Sequence, residues 1–239
     1  MTYIFLVAGK GTRMNPLTKN YPKTLFKLEK NVTIIGHMIE MINKYDSEAR
    51  IVVVSGFMHE MLEEALKDKE VIFVHNPFYA VTNSLASLWF AGNFLNDDVV
   101  IINGDVIVSE DMMKEIIVRR DNKPMALIDS SIKNDGDYNA EVIDDKIVVM
   151  SKGLKSYYGE FVGIVKADKK TALLLSKEID EMIHNEQYDQ WYEDALIQLI
   201  FENDFDLYYH DVSAYEWTEI DCVDDLLHAR EIYRKDKHE

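Results

Sequence analysis

Thr2-Tyr3-Ile4-Phe5-Leu6-Val7-Ala8-Gly9-Lys10-Gly11-Thr12-Arg13-Met14 opens the chain and decides how the rest is read. The short apolar run Tyr3–Val7 reads as a buried β-strand, and it ends abruptly at a pair of glycines. Two glycines let the backbone curl so that several N–H groups point inward at an anion. Lys10 and Arg13 add positive charge, and a guanidinium can grip phosphate with two parallel bonds. A plain tight turn after a strand is the other reading. The spacing is not a dinucleotide fingerprint, because Met14 stands where the third glycine of GxGxxG falls, and the Walker spacing is absent.

Outward from this strand and turn, apolar runs alternate with helical periodicity. Thr33–Tyr45 reads as a helix with Ile34, Ile35, Met38, Ile39, Met41 and Ile42 on its apolar face. Strands are expected at Ile51–Ser55, Val71–His75 and Val99–Asn103, with helices at Met58–Lys67 and Ser84–Phe94 between them. That order predicts an α/β fold, Rossmann-like and three-layered, with a mostly parallel central sheet. The second half is more mixed. Met125–Asp129, Phe161–Lys166 and Leu207–Asp211 read as strands, and Lys169–Asn185, Trp191–Asn203 and Cys222–Arg234 as helices. Glu141–Ile143 and Ile147–Met150 read as a hairpin turning at Asp144-Asp145, a small β insertion. No repeat or Pro/Gly-rich linker divides the chain, so a single catalytic domain over 1–239 is expected. Ligands of open α/β sheets sit at the carboxyl ends of strands, which directs attention to the turns after them.

Composition narrows the classes. Apolar residues make up 47% and charged residues 29% of 239 residues, an ordinary globular balance. The single cysteine, Cys222, excludes an internal disulfide and any CxxC metal or redox motif. There is no basic, apolar leader and no run long enough to span a bilayer, so a cytoplasmic protein without a membrane partner is expected. A net charge of −17 argues against nucleic acid as a partner. The charge is uneven, however. Residues 1–30 carry Lys10, Arg13, Lys19, Lys23, Lys27 and Lys30 against Glu29 alone, a net +5 that leaves −22 for the remainder. Such a patch reads either as a site for a small polyanion or as a solvated charged loop.

Pro16-Leu17-Thr18 and Tyr21-Pro22-Lys23-Thr24-Leu25 extend the opening into G-x-G-T-R-M-x-P-L-T-x-x-x-P-K. Here the sequence resembles the superfamily of sugar-phosphate and alcohol-phosphate nucleotidyltransferases. The resemblance implies that the glycine-rich loop wraps the phosphates of an NTP, with Leu6, Ala8, Gly9, Lys10, Gly11 and Thr12 binding nucleotide. It places Arg13 at the leaving pyrophosphate and Lys23 beside the α-phosphate and the acceptor phosphate. Attack at the α-phosphorus gathers negative charge on non-bridging oxygens, and fixed cations aimed there stabilise it without any covalent nucleophile.

Two further stretches match that superfamily. Ile101-Ile102-Asn103-Gly104-Asp105 is an apolar strand ending in an aspartate, and Trp217-Thr218-Glu219-Ile220-Asp221 resembles a late E-I-D motif. The resemblance assigns Asp105 and Asp221 to magnesium, the expected cofactor, and Asp105 to the nucleotide site as well. Magnesium takes one or two carboxylates plus phosphates and waters, so a pair suffices. Asp224 and Asp225 read instead as first-turn acids of a helix. The seven histidines show no metal-ligand spacing.

His75-Asn76-Pro77-Phe78-Tyr79-Ala80-Val81-Thr82-Asn83-Ser84 resembles the N-P-x-Y-x-x-T-N-S segment of the CTP-using branch. That branch includes bacterial phosphocholine, 2-aminoethylphosphonate and phosphoglutamine cytidylyltransferases, the last acting in capsule modification. The resemblance implies that Thr82, Asn83 and Ser84 read the base and ribose of CTP. A helix entry capped by Thr82 or Asn83 is the structural reading of the same residues. Candidates for the acceptor pocket are Glu160, the run Trp191, Tyr192, Glu193 and Asp194, and Glu219, since acids with aromatics suit an ammonium group. Packing with dipole-favourable acids is the alternative for Trp191–Asp194. The segment Tyr138-Asn139-Ala140-Glu141 lacks the tryptophan that phosphocholine enzymes carry there, which leaves room for a primary amine or an amino-acid amide.

The expected reaction is CMP transfer from CTP to a small phosphorylated acceptor bearing an amine, on a chain without the β-helical acyltransferase domain of bifunctional relatives. A sugar-1-phosphate uridylyl- or thymidylyltransferase is the rival within the chemistry, against which Thr82-Asn83-Ser84 speaks. A non-catalytic nucleotide-binding regulatory module is the rival outside it, against which Lys23, Asp105 and Asp221 speak. On general grounds a homodimer is open.

Overall fold

The computed structural model describes residues 1–132, 138–202 and 205–238. Strand β1 (Thr2–Leu6) leads through two short 3₁₀ turns to a hairpin of β2 (Lys27–Glu29) and β3 (Val32–Thr33), then helix α1 (Ile34–Tyr45). Next come β4 (Arg50–Ser55), α2 (His59–Ala65), β5 (Ile72–His75), α3 (Ser84–Phe90), β6 (Val99–Asn103) and β7 (Val106–Val108). Helix α4 (Glu110–Met112) runs on as a π turn over Met113–Ile117 and precedes β8 (Met125–Asp129), β9 (Tyr138–Ile143), β10 (Lys146–Lys152) and β11 (Gly159–Ala167). The chain closes with α5 (Lys169–His184), α6 (Tyr192–Glu202), β12 (Leu207–Asp211), β13 (Trp217–Glu219) and α7 (Val223–His238). The expected end of the Trp191–Asn203 helix lies outside the described residues.

Nine strands form one sheet in the order β5-β4-β1-β6-β11-β8-β12-β10-β9. Successive residues of each strand face opposite sides and fill two separate cores. Tyr3, Phe5, Ile51, Val53, Val100 and Ile102 pack under α1, α2 and α7. Ile4, Val52, Val54, Val99 and Ile101 pack under α3, α5 and α6. Three layers result, because a sheet apolar on both faces must be covered on both.

The sheet is mixed rather than mostly parallel. β5, β4, β1 and β6 are parallel throughout. β11, by contrast, runs antiparallel to both β6 and β8. The reason lies in the connections. Parallel neighbours need a crossover of a dozen residues or more, which the helices of the first half supply. Between β9 and β10 there are only Asp144 and Asp145, both at positive φ (49° and 66°), the paired left-handed geometry of a two-residue hairpin turn. That hairpin is not a separate insertion. It continues the main sheet, and Gly159 and Glu160 of β11 pair back onto β9, which bends the far end of the sheet on itself.

The topology creates one natural crevice. After β1 the chain moves to β4 and β5 on one side, and then to β6 on the other. The carboxyl ends of β1 and β6 therefore lie at a switch point, where open sheets receive ligands. Leu6 and Asn103 are register partners there. Among the described residues no helix is long and apolar enough to cross a membrane.

His37 on α1 is buried edge-on against the Tyr233 ring of α7 at 5.0 Å. Burial lowers its pKa to about 4. The unfolded chain takes up this proton near pH 6.5, so the native state loses stability as pH falls from about 6.5 through 4. Denaturant titrations across that window should show a shallower decline for His37→Phe than for the unaltered protein.

Candidate active site

The first loop is shaped by its glycines and by Thr18. Gly11 sits at φ 61°, a left-handed conformation that residues with a Cβ rarely adopt. The buried Thr18 hydroxyl donates to the Gly11 carbonyl at 2.7 Å and pins the loop from behind. At Gly9 an added Cβ would meet nothing within 4 Å, because it would project into the crevice. At Gly104 the opposite holds. A Cβ there would lie 2.3 Å from Val7 Cγ1 and 2.7 Å from the Leu6 carbonyl oxygen. Glycine is what allows β6 and the turn after it to press against β1.

Asp105 and Asp221, far apart in the chain, are joined by a small antiparallel pair of strands. Val106 of β7 faces Glu219 of β13, and the Ile220 N–H donates to the Asp105 carbonyl at 3.0 Å. The Trp217 indole N–H anchors β13 by donating to Asp129 at 2.8 Å. Asp225, in the first turn of α7, accepts from the backbone N–H groups of Asp221 (2.8 Å) and Cys222 (2.7 Å). It is a helix-terminal acid that orients the aspartate ahead of it.

Lys23 closes the cluster. Its ammonium lies 2.7 Å from Asp105 Oδ2 and 3.0 Å from Asp221 Oδ1, with only 12% of the side chain exposed. Arg13 pairs with Asp221 and reaches Glu219 at 3.8 Å. Burial acts to lower the Lys23 pKa, but Asp105 and Asp221 together outweigh it and hold the pKa above the ordinary value. The Glu219 carboxyl is pushed up to about 8 by burial and by the charges of Asp105 and Asp221.

Carboxylate oxygens of Asp105, Glu219 and Asp221 lie within 4.8 Å of one another. Three hard oxygen donors at that spacing, open on the crevice side, fit a magnesium ion that completes its shell with phosphate and water. Glu219, expected on the acceptor side, thus belongs to the carboxylate cluster. A divalent cation placed among the three would draw off the Glu219 proton.

The crevice is lined by Leu6, Ala8, Gly9 and Arg13 on one side and by Thr82, Asn83 and Ser84 on another, with Asp105 and Glu219 at its floor. Lys10, Gly11 and Thr12 share the first loop but stand outside this lining. Asn83 both lines the crevice and caps α3, accepting from the Ser84 N–H at 2.9 Å. Ser84 Oγ accepts from the Tyr192 N–H at 2.9 Å and so locks the starts of α3 and α6 together.

The acceptor candidates separate. The Tyr192 ring is wholly buried in the second core and does not line the crevice, whereas the neighbouring Trp191 does. Asp194 is engaged locally, accepting from the Trp191 N–H at 3.0 Å and from the Tyr138 hydroxyl at 2.9 Å. Glu193 and Glu160 are buried and do not line the crevice. Burial pushes the Glu193 carboxyl up to about 8, although a bond from Asn103 acts to lower it. Asn103, Tyr79 and Asn76 stand within the quoted motifs but were not singled out as site residues. Asn103 lines the crevice and holds Glu193, and Tyr79 lines it under Lys10 Nζ at 5.8 Å. Asn76, fully buried, donates to Ser87 (3.0 Å) and Thr82 (3.2 Å) and accepts from the Phe78 N–H. The Asn76 side chain and the Phe78 N–H form an Asx turn.

Fold and site together describe a crevice lined by a glycine-rich loop and carboxylates on a three-layer α/β frame. Residues 2–137 match the nucleotidyl transferase family, and the protein belongs to that family. The chain is 25% identical over 95% of its length to a CTP:phosphoglutamine cytidylyltransferase of Campylobacter jejuni, 98% of which is covered. It is 36% identical over 118 residues to the bifunctional protein GlmU of Methanococcus maripaludis, 49% of this chain and 28% of that protein. In fold it resembles the CTP:phosphocholine cytidylyltransferase of Streptococcus pneumoniae, with a TM-score of 0.80 at 22% identity over 97% of this chain and 98% of the other. It likewise resembles the inositol-1-phosphate CTP transferase of T. maritima, with a TM-score of 0.79 at 19% identity over 99% and 96%.

Gly9 and Gly104 make opposite predictions. Gly104→Ala forces Cβ into backbone, and overpacking of this kind costs about 1–3 kcal/mol, so its melting temperature should fall. Gly9→Ala should melt like the unaltered protein yet bind nucleotide at least about tenfold more weakly, about 1.4 kcal/mol. Calorimetric titration beside thermal melts separates the two.

Proposed function

We propose that the protein transfers CMP from CTP to a small amine-bearing phosphate or phosphonate, with magnesium as cofactor and pyrophosphate as the second product. The observation that carries this reading is the meeting of Lys23 with Asp105 and Asp221 at the floor of a crevice walled by the Gly9 loop. An acceptor oxygen attacks the α-phosphorus of CTP, the bond to the bridging α–β oxygen breaks, and pyrophosphate departs with that oxygen. Asp105 and Asp221, with Glu219 beside them, would hold the magnesium ion, which supplies neutralisation of phosphate charge. Lys23 is held by two carboxylates, so its ammonium is already oriented when negative charge develops on the α-phosphoryl oxygens. Arg13, more exposed, can leave its carboxylates and follow the departing pyrophosphate with a forked pair of bonds.

The choice of CTP is supported by the near full-length likeness to a relative named for CTP, and by Thr82, Asn83 and Ser84 in the crevice wall. The amine on the acceptor is supported by Trp191, whose indole lines the crevice and already receives an ammonium, Lys152 Nζ, over its ring at 4.9 Å. An indole face suits an ammonium group.

Pyrophosphate release with magnesium, scanned over four NTPs against phosphocholine, 2-aminoethylphosphonate, L-glutamine phosphate and glucose-1-phosphate, tests the reading. Turnover with CTP and one amine-bearing acceptor is expected. Turnover with UTP or dTTP and the sugar phosphate would replace it. With the cognate pair, Lys23→Ala should lower kcat by about 10² to 10³ while the fold, followed by circular dichroism, is retained. Unchanged turnover would remove Lys23 from the chemistry.

A further inference from the structure

The basic patch of residues 1–30 is divided by the fold. Arg13 and Lys23 go to the crevice, whereas Lys27 and Lys30 go to a different place. They sit on the β2–β3 hairpin and face α7 across a groove of about 640 Å³. Arg230, Arg234 and Lys237 come to the same groove from α7, at spacings of four and three residues that place them along one face of that helix. Five cations and one carboxylate therefore line a single groove on a chain of net charge −17.

The carboxylate does not neutralise them. Glu29 is already taken up by Lys237 Nζ at 2.6 Å and by the Tyr233 hydroxyl at 3.2 Å. Among the described residues, Lys27, Lys30, Arg230 and Arg234 form no ion pair, and Arg230 instead donates through Nε to the Lys27 carbonyl at 3.0 Å. Arg230 and Arg234 are like charges four residues apart on a helix, an arrangement that opposes folding unless something anionic lies across it. Elsewhere on α7 the pattern is ordinary, as with Lys235, which pairs with Glu216. Lys27, Lys30, Arg230 and Arg234 are left open around a cavity of small-ligand size.

We propose that this groove is a second anion site, separate from the crevice, that takes a small molecule carrying more than one phosphate. Two arginines favour phosphate, because the guanidinium fork matches its oxygens in pairs. The buried Tyr233 ring and Leu28 supply an apolar floor for the rest of such a ligand. The site is also placed to act on the crevice. The hairpin follows Lys23 directly, and α7 begins two residues after Asp221. An anion bridging Lys27 and Lys30 to Arg230 and Arg234 ties together the two segments that bring those groups into contact.

Calorimetric titration with inorganic tripolyphosphate tests the proposal on three full-length proteins: unaltered, Arg13→Gln, and the double variant Lys30→Gln/Arg234→Gln. Neither side chain of the double variant has an ion pair to lose, and thermal melts check that its fold is kept. Binding that survives Arg13→Gln but weakens at least about tenfold in the double variant, with a slope that falls as salt rises, is the expected result. Equal affinity in the double variant and the unaltered protein overturns the proposal, as does loss of all binding in Arg13→Gln. A second arm distinguishes the source of the phosphate. Co-sedimentation with phosphatidylglycerol vesicles but not phosphatidylcholine vesicles, abolished in the double variant and without tripolyphosphate binding, would replace the free ligand with a lipid headgroup.

Discussion

One ammonium group, Lys23 Nζ, is shared between two carboxylates, and the geometry of the site depends on that sharing. Breaking a nearly buried ion cluster by removing one member leaves uncompensated charge, so each partner constrains the others. Lys23 belongs to the loop after β1, Asp105 to the end of β6, and Asp221 to the start of α7. Holding them together requires the first, middle and last parts of the chain to be docked at once. The β7–β13 pair does much of this, since Val106 against Glu219 sets Asp105 beside Asp221. A reactive group held in this way needs no reorganisation when phosphate charge develops beside it.

The two halves of the sheet divide the work. The parallel half builds the crevice, because crossover helices return the chain to the same edge and leave strand ends and loops together at the switch point. The antiparallel half builds the wall behind it. β11 is buried along its whole length between β6 and β8 and carries Glu160 toward the bent end of the sheet. α6 begins where Ser84 fixes Tyr192, and so offers Trp191 to the crevice while Glu193 is kept under Asn103. Carboxylates accumulate around few cations here, and burial together with neighbouring charge raises Glu193 and Glu219 toward neutrality. Asp105, Glu219 and Asp221 are the groups that would hold a metal ion.

Much of this was legible before the fold. Gly9 and Gly11 announce themselves because a turn that points N–H groups inward needs backbone freedom, and Lys23 was marked through the longer motif that resembles the nucleotidyltransferases. Asp105 is visible as the acid that ends an apolar strand. The hairpin at Asp144-Asp145 is visible because aspartate tolerates the left-handed turn conformation. The strands β2, β3, β7 and β13 went unread, since two or three residues carry too little periodicity to separate from a turn. The mixed sheet was misread because alternating strands and helices in the first half say nothing about connections in the second.

What the sequence offered by itself was a glycine-rich turn after a strand, a basic segment and an acid ending an apolar strand, while the roles of Lys23, Asp105 and Asp221 came from the resemblance to the nucleotidyltransferases. Which of these groups meet was decided by tertiary structure alone. Glu219 joined the carboxylate cluster because β13 pairs with β7, and Trp191 rather than Tyr192 reached the crevice because Ser84 fixes where α6 starts. Lys27 and Lys30 parted from Lys23 because the hairpin docks on α7. Local pattern records a residue's own conformational preferences, whereas proximity across the chain is set by strand register and helix docking, which no short stretch of sequence contains.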